Sequence, residues 1–359
     1  VLKSIKLSNF TVFREATVSF VPGINVIVGE NGMGKSHLLK LAYSSSAVAH
    51  TWVSEGGQQV PKTEQQRTLA DKLRAVFRPD SLGRLARRGS GRQRADVAID
   101  FIGEGDASLK FSFATNSKTE VSIEKAPAAG LAAPSLFFPT KEVISMFPRF
   151  ASLYRDYHIE IDETYYDLCL ALERPLLKGR RYEDARRLLA PLEAAIGGTV
   201  SNANGRFVLS IPGEGNMEIP LVAEGIRKLA TVAYLVANGV LKDKATLYWD
   251  EPETNLNPKL LSQLAQILVL VAAKGTQVIL ATHSLFLLRE LDMCLQDAGV
   301  PSHFIALGTN PVDQNGVVIT ESDSAEGIDP IAALDAEITQ SERYEQRAFE
   351  RAHASGTHL

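Results

Sequence analysis

Two hydrophobic periods alternate along the chain and lay out its elements. Residues 2–7 and 16–20 mix apolar and polar positions in near-alternation, which predicts two half-buried strands joined through residues 9–14. Pro22-Gly23 then turn the chain into residues 24–28, a buried strand, and after Ser36 the apolar positions take helical spacing to about His50. Residues 55–62 are polar and read as a loop, and 63–77 as a helix. Residues 97–102, 109–114 and 121–124 predict a small antiparallel meander with hairpin connections at 103–106 and 115–117. A Pro/Ala/Gly linker at 126–134 leads to a short buried strand, 136–138.

From Thr140 to about Gly197 the pattern is helical and charged, and the next strand signal is 207–211. Residues 225–241 form an apolar helix, and 246–249 and 277–281 are buried strands. Between those strands, Asn257-Pro258 opens a helix that ends at Lys274-Gly275. Residues 304–307 and 317–320 read as edge strands and 330–340 as a helix; residues 346–359 are set aside as a tail. Strands alternating with helices predict an α/β fold. The division expected is an N-terminal lobe over 1–139, a helical insertion over 140–215 and a C-terminal lobe over 216–345.

Composition narrows the class. A chain of 359 residues with 45% hydrophobic content can bury a substantial core. The net charge of −4 gives no global attraction to nucleic acid, so any such contact needs a local patch. Cys169 and Cys294 form no C-x-x-C pair, and no charged-then-apolar leader opens the chain. The longest apolar run, near residues 267–273, is too short to span a bilayer. The expectation is a cytoplasmic protein with no membrane partner.

Gly29-Glu30-Asn31-Gly32-Met33-Gly34-Lys35-Ser36 fits G-x-x-x-x-G-K-S between a strand and a helix, a Walker A phosphate loop. The glycines let successive backbone N–H groups turn inward toward phosphate oxygens, and the helix N-terminus behind them adds positive charge. Lys35 would reach the β- and γ-phosphates of ATP, and the Ser36 hydroxyl would ligate Mg²⁺. Gly29, Asn31, Gly32, Gly34, Lys35, Ser36 and the adjoining His37 form the expected nucleotide-binding set.

A second constellation lies far along the chain. Residues 247–249 are apolar and run into Asp250-Glu251-Pro252, which after a phosphate loop reads as a Walker B motif. Asp250 would hold Mg²⁺, and Glu251 would act as general base toward the attacking water. His283 ends the next apolar strand, on the sheet edge where open α/β folds bind ligands, and could hydrogen-bond the γ-phosphate or the water. Arg84, Arg87, Arg88, Arg92 and Arg94 cluster around Gly89-Ser90-Gly91. They read either as a solvated loop, as a phosphate or nucleic-acid contact, or as a lever between subunits.

The order of Walker A, helical insertion, Asp-Glu Walker B and strand-end histidine resembles an ABC-type ATPase head. The Asn31-Gly32-x-Gly34-Lys35-Ser36 wording is similar to the SMC/RecF/OLD branch. Residues 138–143, 162–167, 223–230 and 249–258 resemble stand-alone prokaryotic AAA/ABC ATP-binding proteins, such as the ATPase subunits of Septu-like or retron-associated antiphage systems. The resemblance implies an α/β head with a P-loop core sheet, an antiparallel β subdomain and a helical insertion. By position it makes Ala223-Glu224-Gly225 the signature segment, which caps ATP bound to another copy, with Glu224 and Gly225 as nucleotide contacts. Ala223 stands where the family has serine. It further implies a homodimer or higher homo-oligomer around ATP and a nearby effector protein as partner. The alternatives are a DNA-engaging ATPase of the RecF or SMC kind and a non-catalytic nucleotide sensor that restrains a toxin.

Overall fold

The computed structural model describes residues 1–55, 60–89, 91–103, 107–128, 134–147, 149–157, 159–241, 244–309 and 316–354. The centres of the polar loop at 55–62, of the 103–106 connection and of the 126–134 linker, together with Ser90 and the end of the tail, lie outside the described residues.

A six-stranded sheet organises the chain. Its members are β3 (Ile24–Gly29), β7 (Ser135–Phe138), β11 (Thr246–Asp250), β12 (Gln277–Thr282), β13 (Ser302–Thr309) and β14 (Val317–Ser322), in the order β14-β13-β3-β12-β11-β7. All neighbours pair in parallel except β14, which closes one edge antiparallel. β3, β11 and β12 are buried along their whole length, as parallel strands covered on both faces must be.

Alternate side chains feed two cores. Val26, Leu247, Trp249, Leu280 and Phe304 join one cluster, with Leu229 of α6 (Glu224–Ala237), Leu264 of α7 (Pro258–Ala273) and Leu288 of α8 (Leu285–Ala298). Ile27, Tyr248, Ile279 and Ile305 join the other, with Leu38 of α1 (Lys35–Ser54) and Leu73 of α2 (Lys62–Phe77). That second cluster also takes in a five-stranded antiparallel sheet. Its strands are β1 (Leu2–Phe10), β2 (Phe13–Ser19), β4 (Arg94–Phe101), β5 (Ser108–Ala114) and β6 (Ser122–Lys125), in the order β2-β1-β4-β5-β6. The expected meander thus extends the first two strands into one sheet.

The segment after β7 is less purely helical than its pattern predicts. It holds α3 (Phe150–Tyr157), α4 (Glu163–Leu172) and α5 (Arg180–Ile196), then a three-stranded sheet of β8 (Thr199–Ala203), β9 (Arg206–Ile211) and β10 (Gly215–Glu218). β8 carries half-buried Ser201 and Asn202 beside a single buried residue, Val200, so its apolar alternation is too weak to read. Leu168, Leu172, Leu192 and Phe207 of this segment pack into the same core as α6 and α7. The final helix, α9, runs over Ala332–Ala354, far past the predicted stop at 340.

Candidate nucleotide site

β3 delivers Gly29 to the C-terminal edge of the parallel sheet, and α1 starts at Lys35. Gly34 precedes the helix with φ 92°. A Cβ there would lie 2.6 Å from Val12 Cγ2 and 2.8 Å from the Phe13 ring, so the loop passes under the β1–β2 connection only as glycine. No side chain caps α1. Its leading N–H groups therefore have no side-chain acceptor, the arrangement that receives an anion. Asn31 and Gly32 are exposed, whereas Lys35 is 6% exposed. Its Nζ donates to the carbonyls of Gly29 at 2.7 Å and Glu30 at 3.0 Å. Burial lowers the pKa of this ammonium, against the opposing pull of Glu251, Asp250, Glu253 and Glu30.

Asp250 is the last residue of β11 and is buried. The Ser36 hydroxyl donates to its Oδ1 at 3.0 Å. Burial raises the Asp250 carboxyl above its ordinary value, with the Ser36 hydrogen bond opposing. One hydroxyl and one buried carboxylate, side by side, make a hard-oxygen pair that suits Mg²⁺. Glu251 follows at φ 49°, a left-handed conformation uncommon outside glycine. Its N–H stays bonded to Ala281 O at 2.9 Å, so the backbone turns while still fixed to β12. His283 comes directly after β12, and its Nδ1 lies 3.7 Å from Glu251 Oε1. Lys35, Ser36, Asp250, Glu251 and His283 are thus gathered at one sheet edge.

Glu253 also belongs to this group and was not singled out in the sequence. It is 9% exposed and its Oε1 accepts from Thr282 Oγ1 at 2.7 Å and from the His283 N–H at 2.9 Å. His283 Nδ1 is 3.2 Å from the same oxygen. The available signal was a third acid in Asp250-Glu251-Pro252-Glu253. α1 is in turn tied to α4: Lys40 pairs with Asp162 at 2.9 Å, and the Tyr43 hydroxyl donates to Asp167 at 2.6 Å.

Ala223 precedes α6 without a side-chain cap, and Glu224 is its first residue. A Cβ on Gly225 would meet Asn255 O at 2.8 Å, so the helix start lies against the turn that follows Glu253. Lys228 Nζ donates to Thr254 O at 2.7 Å, and Arg227 pairs with Glu142, just after β7, at 3.3 Å. Among the described residues, no hydrogen bond or ion pair joins Glu224 or Gly225 to residues 29–36.

Two cavities border the loop. One, of about 490 Å³, is lined by Gly29, Asn31, His283, Ser284 and the first turn of α9. The other, of about 610 Å³, is lined by Gly32, Met33, His37 and three of the clustered arginines, Arg84, Arg87 and Arg88. His37 rests its ring 5.8 Å from that of Phe77, and its buried Nδ1 has no hydrogen-bond partner among the described residues. Burial lowers its pKa, aided by Lys40. Arg94 instead pairs with Asp96 at 3.1 Å and lines a separate groove with Arg92.

Residues 24–289 match the family profile described as "AAA domain, putative AbiEii toxin, Type IV TA system", and residues 4–41 match a second AAA-domain profile. The DNA replication and repair protein RecF of Limosilactobacillus fermentum is 44% identical over 43 residues, 12% of either chain. RecF of Agathobacter rectalis is 31% identical over 83 residues, 22% of this chain and 23% of that one. These matches span less than a quarter of either RecF. An Smc head bound to the C-winged helix domain of ScpA superposes with TM-score 0.55 at 13% identity, covering 90% of this chain and 98% of that one. An Smc head with an extended coiled coil, bound to the C-terminal domain of ScpA from Pyrococcus furiosus, gives TM-score 0.51 at 13% identity over 95% and 99%. Among the described residues no helix is long and apolar enough to cross a membrane. The fold is that of an ABC-type ATPase head, and the chain belongs to the AAA-domain family whose profile spans its phosphate loop, its Asp-Glu pair and its strand-end histidine.

Proposed function

We propose that this chain binds ATP with Mg²⁺ and hydrolyses it to ADP and phosphate, using the change as a conformational switch. The observation that carries this reading is the 3.0 Å contact of Ser36 with Asp250, flanked by Glu251 and His283. The loop amides and the start of α1 hold the phosphates, and Lys35 leaves its carbonyl partners to contact the β- and γ-oxygens. Ser36 and Asp250 would hold Mg²⁺, which when bound neutralises charge on the phosphate oxygens. Glu251 takes a proton from water as the water oxygen bonds to the γ-phosphorus and the bond to the bridging oxygen breaks, releasing ADP. His283 hydrogen-bonds the terminal phosphate. The cavity at His37, Arg84 and Arg88 lies beside the loop and suits the sugar, the base and the nearer phosphate charge.

Two copies would enclose two nucleotides, with Glu224 and Gly225 of each facing the ATP of the other. Ala223 offers no hydroxyl, so the cap consists of backbone N–H groups and the α6 dipole. The switch acts on a partner effector. The toxin system named in the family description supports a partner effector, and a role in antiphage defence is part of the same proposal. Phosphate release by the purified chain with and without Mg²⁺, beside Glu251→Gln, tests the chemistry. Mg²⁺-dependent turnover lost in the variant is expected; equal rates would overturn the assignment.

The RecF matches favour a second reading, in which the ATPase engages DNA. Arg88 and Arg92 are exposed and available for phosphate contacts. Binding that falls steeply with salt and weakens when both are replaced by alanine would support it.

A further inference from the structure

Glu253 has a bonding pattern that packing does not require. One of its oxygens, Oε1, accepts from the Thr282 hydroxyl at 2.7 Å and the His283 backbone N–H at 2.9 Å, and His283 Nδ1 lies 3.2 Å from it. Thr282 is fully buried, and its hydroxyl also accepts from the Ser284 N–H at 3.0 Å, so its own proton is committed to Glu253. The other oxygen, Oε2, is buried with no partner among the described residues. A buried carboxylate oxygen without a hydrogen bond is costly. The carboxylate is nevertheless held with Oε1 against the β12 end that carries the imidazole.

A carboxylate accepts hydrogen bonds and donates none. A proton on Nδ1 of His283 turns this 3.2 Å approach into a hydrogen bond. That leaves Nε2, on the opposite side of the ring, as the bare nitrogen of the neutral form or the second donor of the cation. The His283 side chain is about half exposed and lines the same cavity as Gly29, Glu30 and Asn31. Glu251 Oε1, at 3.7 Å from Nδ1, is beyond hydrogen-bond distance.

We propose that Glu253 is the positioning residue for His283, fixing the Nδ1–H tautomer so that Nε2 serves the phosphate side of the site. Its backbone contact ties the loop after β12 to the turn after β11. The inference rests on the ATPase reading for its kinetic meaning, but the tautomer itself does not depend on turnover.

The test combines spectroscopy and kinetics on the full chain. In wild-type protein with ¹⁵N-labelled histidine, the His283 resonance, identified by its loss in His283→Gln, should show a protonated Nδ1 and a bare Nε2 in the neutral form. An Nε2–H tautomer there overturns the proposal, whether or not a Glu253 variant folds and whether or not the protein turns over ATP. In steady-state hydrolysis, Glu253→Met, which removes both acceptor oxygens, should lower kcat at least about tenfold and leave KM for ATP within about twofold. In a His283→Gln background the same substitution should cost nothing more, because the residue acts through the imidazole. Additive losses would mark a merely structural role and overturn the proposal. An inactive wild-type protein would refute the ATPase reading while the resonance still decides the tautomer.

Discussion

Ser36 and Asp250, 214 positions apart in the chain, meet through a hydrogen bond of 3.0 Å. The meeting follows from strand order. β3 and β11 flank β12 in parallel, so the residues after all three emerge at one edge. The sheet register substitutes for proximity in the chain.

That contact predicts opposite effects on stability and turnover. Burial holds the Asp250 carboxyl above its ordinary value of 3.8, so the folded state keeps the proton to higher pH than the unfolded state does. Stability is therefore lost as pH rises through the raised value, and at neutral pH the charge is a net cost. Asp250→Asn should raise the Tm of the nucleotide-free protein at pH 7 by about 2 °C while abolishing Mg²⁺-dependent hydrolysis. The Tm gain should shrink on acidification, as scanning calorimetry across pH would show.

Glu251→Gln keeps the size and turn of the residue and removes the base. Hydrolysis should fall at least about a hundredfold with nucleotide affinity retained. Light scattering after chromatography with ATP should then find a larger species than with ADP. A variant that turns over normally would exclude Glu251 as the base.

Arg84 and Arg88 line the cavity beside Gly32 and His37. Replacing both with alanine should raise KM for ATP several-fold and leave kcat nearly unchanged, since uniform binding is removed. Titration with a fluorescent ATP analogue gives the same comparison without turnover.

The legible parts of the site were those carried by contiguous residues. The loop of Gly29 to Ser36 and the Asp250-Glu251 pair each announce their chemistry within a few positions. Glu253 was hidden because its partners, Thr282 and His283, reach it only once β12 lies beside β11. The arginines read as a patch whose purpose stayed open, and only the fold distributes Arg84, Arg87 and Arg88 to one cavity and Arg92 and Arg94 to another groove. β8 went unseen because exposed Thr199 and half-buried Ser201 and Asn202 blur its alternation. The parallel strands were plain because burial on both faces leaves them little room for polar residues.

The polar join between α2 and α4 was equally invisible. Lys72 pairs with Asp167 at 2.7 Å and Glu163 at 2.9 Å, and its Nζ stands 5.3 Å from the centre of the Tyr43 ring. Burial lowers the Lys72 pKa, but the two carboxylates more than offset this and the net shift is upward. The contribution is therefore complete below the ordinary value of 10.5 and lost as pH rises through the raised one. Lys72→Met leaves Glu163 and Asp167 without their shared cation, Asp167 keeping the Tyr43 hydroxyl, and should destabilise the fold by about 3 kcal/mol in urea titrations at pH 7. The gap to wild type should close above the ordinary lysine range.

α9 is exposed over most of its 23 residues, with Ile338, Tyr344 and Phe349 open to solvent. Its first turn nevertheless walls the cavity that His283 shares with Gly29 and Asn31. A straight rod of that length reaches about 35 Å. A tilt of about 10° at its root sweeps the far end through about 6 Å by simple trigonometry on that length. An adjustment around the histidine that tilted this root would be read, at the distal tip, as a displacement as wide as a side chain is long.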